Sequence, residues 1–214
     1  MSIQGVILGL TVLLSGTHID VQETHPIMKF EEINAQQVSV SSKLSPKQAK
    51  AVIGKKATAT VEAIKNKNMK QLKTMIHPDK GVRFSPYTYV DKKSDLVFKP
   101  SQIGKLPTSK TVYTWGAYDG SGNPIKATFN QYYRKFIYDH DYKNIKKVGY
   151  NQTIGKGNTV NNIRKVYPNS IVVEYYFGGT KKYSGMDWSS LKLVYEKKGS
   201  KWYLVGIVHD EWTI

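Results

Sequence analysis

His77-Pro78-Asp79-Lys80 is the first group in the chain whose residue types and spacing can do chemistry. A histidine two residues from an aspartate offers a base and a carboxylate to orient it, the pair that general acid–base catalysis needs. Tyr87, Tyr133, Tyr175 and Asp187 are the side chains that could join them in a cleft. The same pair has a plainer use, in which Asp79 caps a turn and His77 fills a corner. His209-Asp210-Glu211 is the second group. On a strand, His209 and Glu211 share one face and Asp210 takes the other. Two convergent ligands are too few for a structural zinc site, which wants four, so this segment is expected to finish a sheet. Asp119, Ser121 and Asn123 alternate as oxygen ligands do in a calcium loop, but Pro124 stands where such loops want Gly, and Asn130 where they want Glu. That segment reads as a turn.

The rest of the sequence narrows the chemistry by exclusion. There is no Cys among the 214 residues, which removes disulfides, thiol nucleophiles, iron–sulfur clusters and Cys-type zinc sites. No nucleophile elbow, metalloprotease helix or P-loop occurs, and no cofactor or metal is expected. The net charge is +16, so a polyanionic neighbour is expected. The excess is Lys spread along the chain, with Arg only at Arg83, Arg134 and Arg164. Specific base or phosphate reading favours Arg forks, and no zinc-finger, RNP or helix–turn–helix pattern is present. The pattern suits loose adhesion to an anionic cell-wall polymer or membrane surface rather than specific nucleic-acid recognition.

The elements that must carry these residues follow from periodicity. Val6 to Leu14 is an apolar run too short to span a bilayer but of signal-peptide length, with the small residues Ser15, Gly16 and Thr17 behind it. Residues 1–17 are read as a signal-peptide-like segment, although no Lys or Arg precedes the run. Residues 18–44 are polar and aperiodic and read as a flexible tether. Residues 45–214 read as a single α+β domain. Ser45-Pro46-Lys47-Gln48 is a helix start with a capping box, and Ala49, Ile53, Ala57, Thr60 and Ile64 follow at helical spacing. A short helix is expected over Met69 to Ile76. Strands are expected over Val82 to Val90, Thr111 to Tyr118 and Ser170 to Phe177, and as a hairpin built from Leu191-Lys192-Leu193-Val194-Tyr195 and Trp202 to Ile214. Asn123-Pro124 is read as opening another helix, because Ile125, Phe129, Tyr132, Tyr133, Phe136 and Ile137 fall on one stripe. Helices first and long antiparallel strands later argue for helices packed on a curved antiparallel sheet.

Two segments carry a resemblance. His77 to Tyr87 and Trp202 to Ile214, with Trp115-Gly116 and Asp119-Gly120-Ser121-Gly122 between them, are similar to an uncharacterised family of secreted proteins and lipoproteins of Gram-positive bacteria. The helix–helix–strand opening is similar to the cone-shaped NTF2-like fold. Leu14-Ser15-Gly16-Thr17 resembles a lipobox with Thr17 in the Cys position, where the thioether lipid cannot form. His77-Pro78-Asp79-Lys80 also matches the J-domain tripeptide, but a strand follows it and the further helix is missing. The resemblance implies an exported, cell-envelope-associated domain and its architecture, not its chemistry; the expected role is non-catalytic binding of a ligand or partner. A cavity lined by Tyr132, Tyr133, Phe136, Tyr175 and Trp188 is the expected ligand seat, unless these aromatics simply fill the core. The alternative is a small-molecule hydrolase or isomerase that uses His77 and Asp79 at the mouth of the cone.

Overall fold

The structure is a computed structural model and describes residues 44–213; the expected leader and all but the last residue of the expected tether lie outside them. The described residues contain, in chain order, α1 (Pro46–Lys65), α2 (Met69–Met75), β1 (Val82–Ser85), β2 (Leu96–Phe98), α3 (Pro100–Ile103), β3 (Tyr113–Ala117), β4 (Pro124–Ala127), α4 (Phe129–Phe136), β5 (Val148–Tyr150), α5 (Ile163–Val166), β6 (Ile171–Phe177), β7 (Ser189–Lys198) and β8 (Lys201–Glu211). The class is α+β. Six strands form one sheet in the order β2-β1-β8-β7-β6-β5, and β3 and β4 form a separate hairpin.

The helices start where the sequence places their caps. Ser45 Oγ accepts from the Gln48 amide and the Gln48 side chain accepts from the Ser45 amide, an arrangement worth about 1 kcal/mol. Asn68 caps α2 through the Gln71 amide. The expected helix from Pro124 is a correction: residues 124–127 are a strand. Ile125 and Ala127 are buried and alternate with exposed Pro124 and Lys126, the period of a strand. Ile125 falls on the helical stripe by coincidence of spacing. The true start of α4 is Thr128, which shares a capping box with Gln131.

The sheet is mostly antiparallel, with one departure from expectation: β1 runs parallel to β8. The chain enters that pairing through His77, whose amide donates to Leu204 O at 3.0 Å. β1 also ends earlier than expected. Pro86 has no N–H to give the ladder, and the chain leaves the sheet there. Pairing of β7 with β8 shifts register between Val194 and Tyr195. That bulge lets Leu204 and Ile207, three residues apart, reach the same core.

β7 is buried on both faces from Ser189 to Glu196. On one face Leu191, Leu193 and Tyr195 join Ile171, Val173 and Tyr175 of β6 under α1, α2 and α4. Phe84, Phe98, Trp115, Phe129, Tyr132 and Phe136 fill this core. Trp115 and Tyr132 stack at 4.0 Å, and the Trp115 indole N–H donates to Ala127 O at 2.9 Å. Each such ring contributes about 1.5–3 kcal/mol on burial. On the other face Val194, Val205 and Val208 meet Val90, Ile163 and Tyr167 in a smaller cluster. That cover is incomplete, and polar side chains of β6, β7 and β8 lie beneath the loops beside it.

Candidate functional site

The residues singled out by the sequence do different work from one another. His77 is buried. Its Nδ1 accepts from the amides of Asp79 and Lys80 at 3.2 and 3.1 Å, so the ring closes the helix-to-strand turn. The Asp79 carboxylate points instead to Lys198, at 2.6 Å, on the surface. Tyr132, Tyr133, Phe136 and Tyr175 lie in the main core. The Tyr133 hydroxyl donates to Ile64 O at 2.7 Å and pins α4 to the end of α1. Trp188 is buried too, against Tyr176 and over Gly155 and Gly157. Tyr133 borders a cavity of about 10 Å³. Asp187 accepts from the amide and hydroxyl of Thr180.

His209 and Asp210 take opposite faces of β8, as the strand period requires. His209 joins a buried network. Its Nδ1 lies 3.2 Å from Pro86 O, an acceptor only, so that nitrogen carries a proton. Its Nε2 lies 3.0 Å from Ser189 Oγ and 3.3 Å from Asp139 Oδ2. Serine and carboxylate therefore share one nitrogen, which is not the relay of a hydrolytic triad. Burial would raise Asp139, but hydrogen bonds from His140, His209 and Tyr142 outweigh it and hold its carboxyl far below the usual range. No group of three or more His, Asp or Glu among the described residues could hold a metal ion.

An open cavity of about 770 Å³ forms a groove between the turn after β1 and the β3–β4 turn. Tyr87, Tyr89 and Tyr118 line it with Asp91, Asp95 and Asp119, and no Lys or Arg among the described residues does. Asp95 sits at its base and is 7% exposed. Its Oδ2 accepts from the Ser85 hydroxyl at 2.5 Å and the Asp91 amide at 3.0 Å. Its Oδ1 accepts no hydrogen bond among the described residues and lies 3.8 Å from where a Cβ on Gly116 would stand. Gly116 has φ +115°, a conformation that L side chains rarely adopt, so the wall over Asp95 stays low. Arg83 holds the Asp95 turn from behind by donating to Asp95 O at 2.9 Å.

Burial pushes Asp95 up to about 7, against the pull of Ser85, the Asp91 amide and Arg83. Asp91 and Asp119 are moved the other way. The Lys93 amide and Ser94 hydroxyl lower Asp91, and the Thr213 and Thr159 hydroxyls lower Asp119. Burial raises the Tyr87 phenol to about 12, so it stays protonated. At neutral pH the groove therefore holds two ionised carboxylates, a third that titrates there, and three aromatic rings. Sequence reading missed Asp95, because nothing in Asp91-Lys92-Lys93-Ser94-Asp95 distinguishes it from a solvated turn. Glu174 and Lys192 left a signal: each is a lone charge between apolar residues on a strand, and they are cross-strand partners. No protein-family model matches the chain, and none of the curated proteins matches it.

Proposed function

We propose that the chain is a non-catalytic binding domain, exported and held at the cell envelope, and that the tyrosine–aspartate groove seats an organic cation. The observation that carries this reading is the composition of the groove: three carboxyls and three aromatic rings, with no basic side chain among the described residues, in a protein of net charge +16. Aromatic faces attract ammonium groups and carboxylates complete the pairing. A neutral ligand would leave the acid side chains uncompensated. The location rests on the apolar leader and on the likeness to secreted proteins and lipoproteins. Surface lysines supply the adhesion to an anionic polymer of the envelope. The NTF2-like, cone-shaped reading of the fold belongs to the same proposal and is supported by α1, α2 and α4 packing over one face of the sheet.

Calorimetric titration with tetramethylammonium, choline and butylamine tests the groove. Cations should bind with affinity that rises as pH passes about 7 and Asp95 ionises, and 3,3-dimethylbutanol, the neutral shape match of choline, should bind about tenfold more weakly. Equal binding of cation and neutral match, or no binding of either, overturns the reading. Fractionation of the native host tests the location, which full-length protein confined to cytosol would overturn. A second reading, an acid–base enzyme, has one observation in its favour: Asp95 titrates near neutrality beside open space, as a general acid or base must. The two part on turnover, since a binding domain returns its ligand unchanged.

A further inference from the structure

A second cavity, about 430 Å³, opens on the other face of the sheet, beneath the loop that runs from β5 toward α5. Its floor is three neighbouring strands, each contributing one ionisable side chain: Glu174 from β6, Lys192 from β7 and Asp210 from β8. All three are 1–3% exposed. Lys192 Nζ donates to Asp210 Oδ2 and to the Thr88 hydroxyl, and lies 3.8 Å from Glu174 Oε1. Glu174 is otherwise held by the amides of Ile154 and Gly155 at 2.7 and 3.0 Å. Asp210 Oδ1 is buried and has no hydrogen-bond partner among the described residues.

Charge and hydrogen bonding single out the same carboxyl. Two carboxylates face one ammonium, so the floor carries one surplus negative charge. Burial pushes the Asp210 carboxyl up, Lys192 pulls it down, and Glu174 adds to the push. An unsatisfied buried carboxylate costs several kcal/mol until a proton or a donor completes it. The rim has the opposite character. Lys156 is exposed and Arg164 half-buried, and both line the mouth. Arg164 donates to Ser170 O and Asn151 Oδ1, both at 2.6 Å. Neither cation meets a carboxylate among the described residues. The remaining wall mixes hydroxyl and amide groups with Gly155, Gly157, Ile163 and Val172, and among the described residues it holds no aromatic ring.

We propose that this cleft is a second binding site, which takes a small zwitterion with its ammonium group on Asp210 Oδ1 and its anionic group at Lys156 and Arg164. A simple anion would meet the negative floor, a simple amine would leave the rim unused, and a neutral polyol would answer neither charge. The site differs from the groove in ligand class. An organic cation suits the aromatic groove, whereas a compact molecule carrying both charges suits the cleft.

The test uses the full chain, labelled with nitrogen-15, and a series of ω-amino acids from glycine to ε-aminocaproate. Alkylamines and alkylcarboxylates of matching length serve as controls. One member of the series should shift the amides of Thr88, Gly155 and Lys156 and bind about tenfold more tightly than either control. Asp210→Asn should abolish that gain. Lys156→Ala, a change at an exposed position that leaves the floor intact, should weaken binding several-fold. Shifts by amine and zwitterion alike, no shift by any member, or unchanged affinity in Lys156→Ala overturns the proposal.

Discussion

Asp95→Asn removes one ionisation and keeps the shape of the side chain. The Asn oxygen can accept the bonds that Asp95 Oδ2 takes from Ser85 and the Asp91 amide, with its NH2 in the place of Oδ1 at the groove. What changes is the response to pH. Asp95 titrates at about 7 in the folded protein, against an ordinary 3.8. Below the lower value both folded and unfolded chains hold the proton, and Asp95 costs nothing. Between the two values the unfolded chain releases its proton and the folded chain does not. Stability then falls by about 1.4 kcal/mol per pH unit. Above the folded value the loss is complete, at about 4 kcal/mol. The Asn variant lacks this slope. A domain of this size moves by roughly 2–4 °C in Tm per kcal/mol. The Tm difference, variant minus parent, should therefore widen by about 10 °C between about pH 4 and about pH 8. Thermal unfolding followed by circular dichroism across that range measures it. Parallel pH profiles for the two proteins would refute the reasoning, because they would mean that the folded chain ionises this carboxyl as readily as the unfolded one.

Lys192→Met leaves Glu174 and Asp210 buried without their cation and should lower stability by about 3–5 kcal/mol in urea denaturation. Gly155→Ala places a Cβ 2.6 Å from the Trp188 ring; the ring must move, at a cost of about 1–3 kcal/mol and with a change in near-ultraviolet dichroism. Trp115→Ala empties the centre of the aromatic core and should cost about 3–5 kcal/mol, whereas Trp115→Phe recovers part of it and leaves Ala127 O without its donor. Asp139 is stabilised as an anion, so what it contributes is present above the usual carboxylate range and is lost as pH falls toward its folded value. Asp139→Asn should therefore unfold at a lower midpoint at neutral pH and show a flatter acid limb.

The helices and the long hairpin were legible because their signals are local. A capping box at Ser45 and Gln48, a stripe from Ala49 to Ile64 and the alternation of Leu191, Leu193 and Tyr195 need no knowledge of the rest of the chain. Residues 124–127 misled because Ile125 satisfies two periods at once, and only the Thr128–Gln131 capping box separates strand from helix. The parallel pairing of β1 with β8 joins Arg83 to Gly206, a contact across most of the domain that no local pattern encodes. The candidate sites were hidden for the same reason. Asp95 looks like any turn aspartate until Ser85 and Gly116 enclose it. The aromatics that drew attention, Tyr132 and Phe136 among them, carry the strongest apolar signal, and for that reason they are used inside the core.

Folding also changes what the charge of the sequence means. Asp95, Glu174, Glu196 and Asp210 are buried, whereas Lys192 is the one buried Lys or Arg among the described residues. The exterior is therefore three charges more basic than composition alone implies, because the acids have gone inside and the lysines have not. Two of those acids, Asp95 and Asp210, line the two cavities described above. On the proposed reading, the outside attracts polyanions and the recesses favour ammonium groups. The two attractions answer differently to salt. Attraction between exposed lysines and a polymer acts through water and is screened beyond about 8–10 Å at physiological ionic strength. An ammonium group seated on a buried carboxylate is shielded from salt by the protein around it. Rising salt should thus release the polymer first and leave the small ligands bound, and this ordering distinguishes recesses built for cations from a surface that is merely sticky.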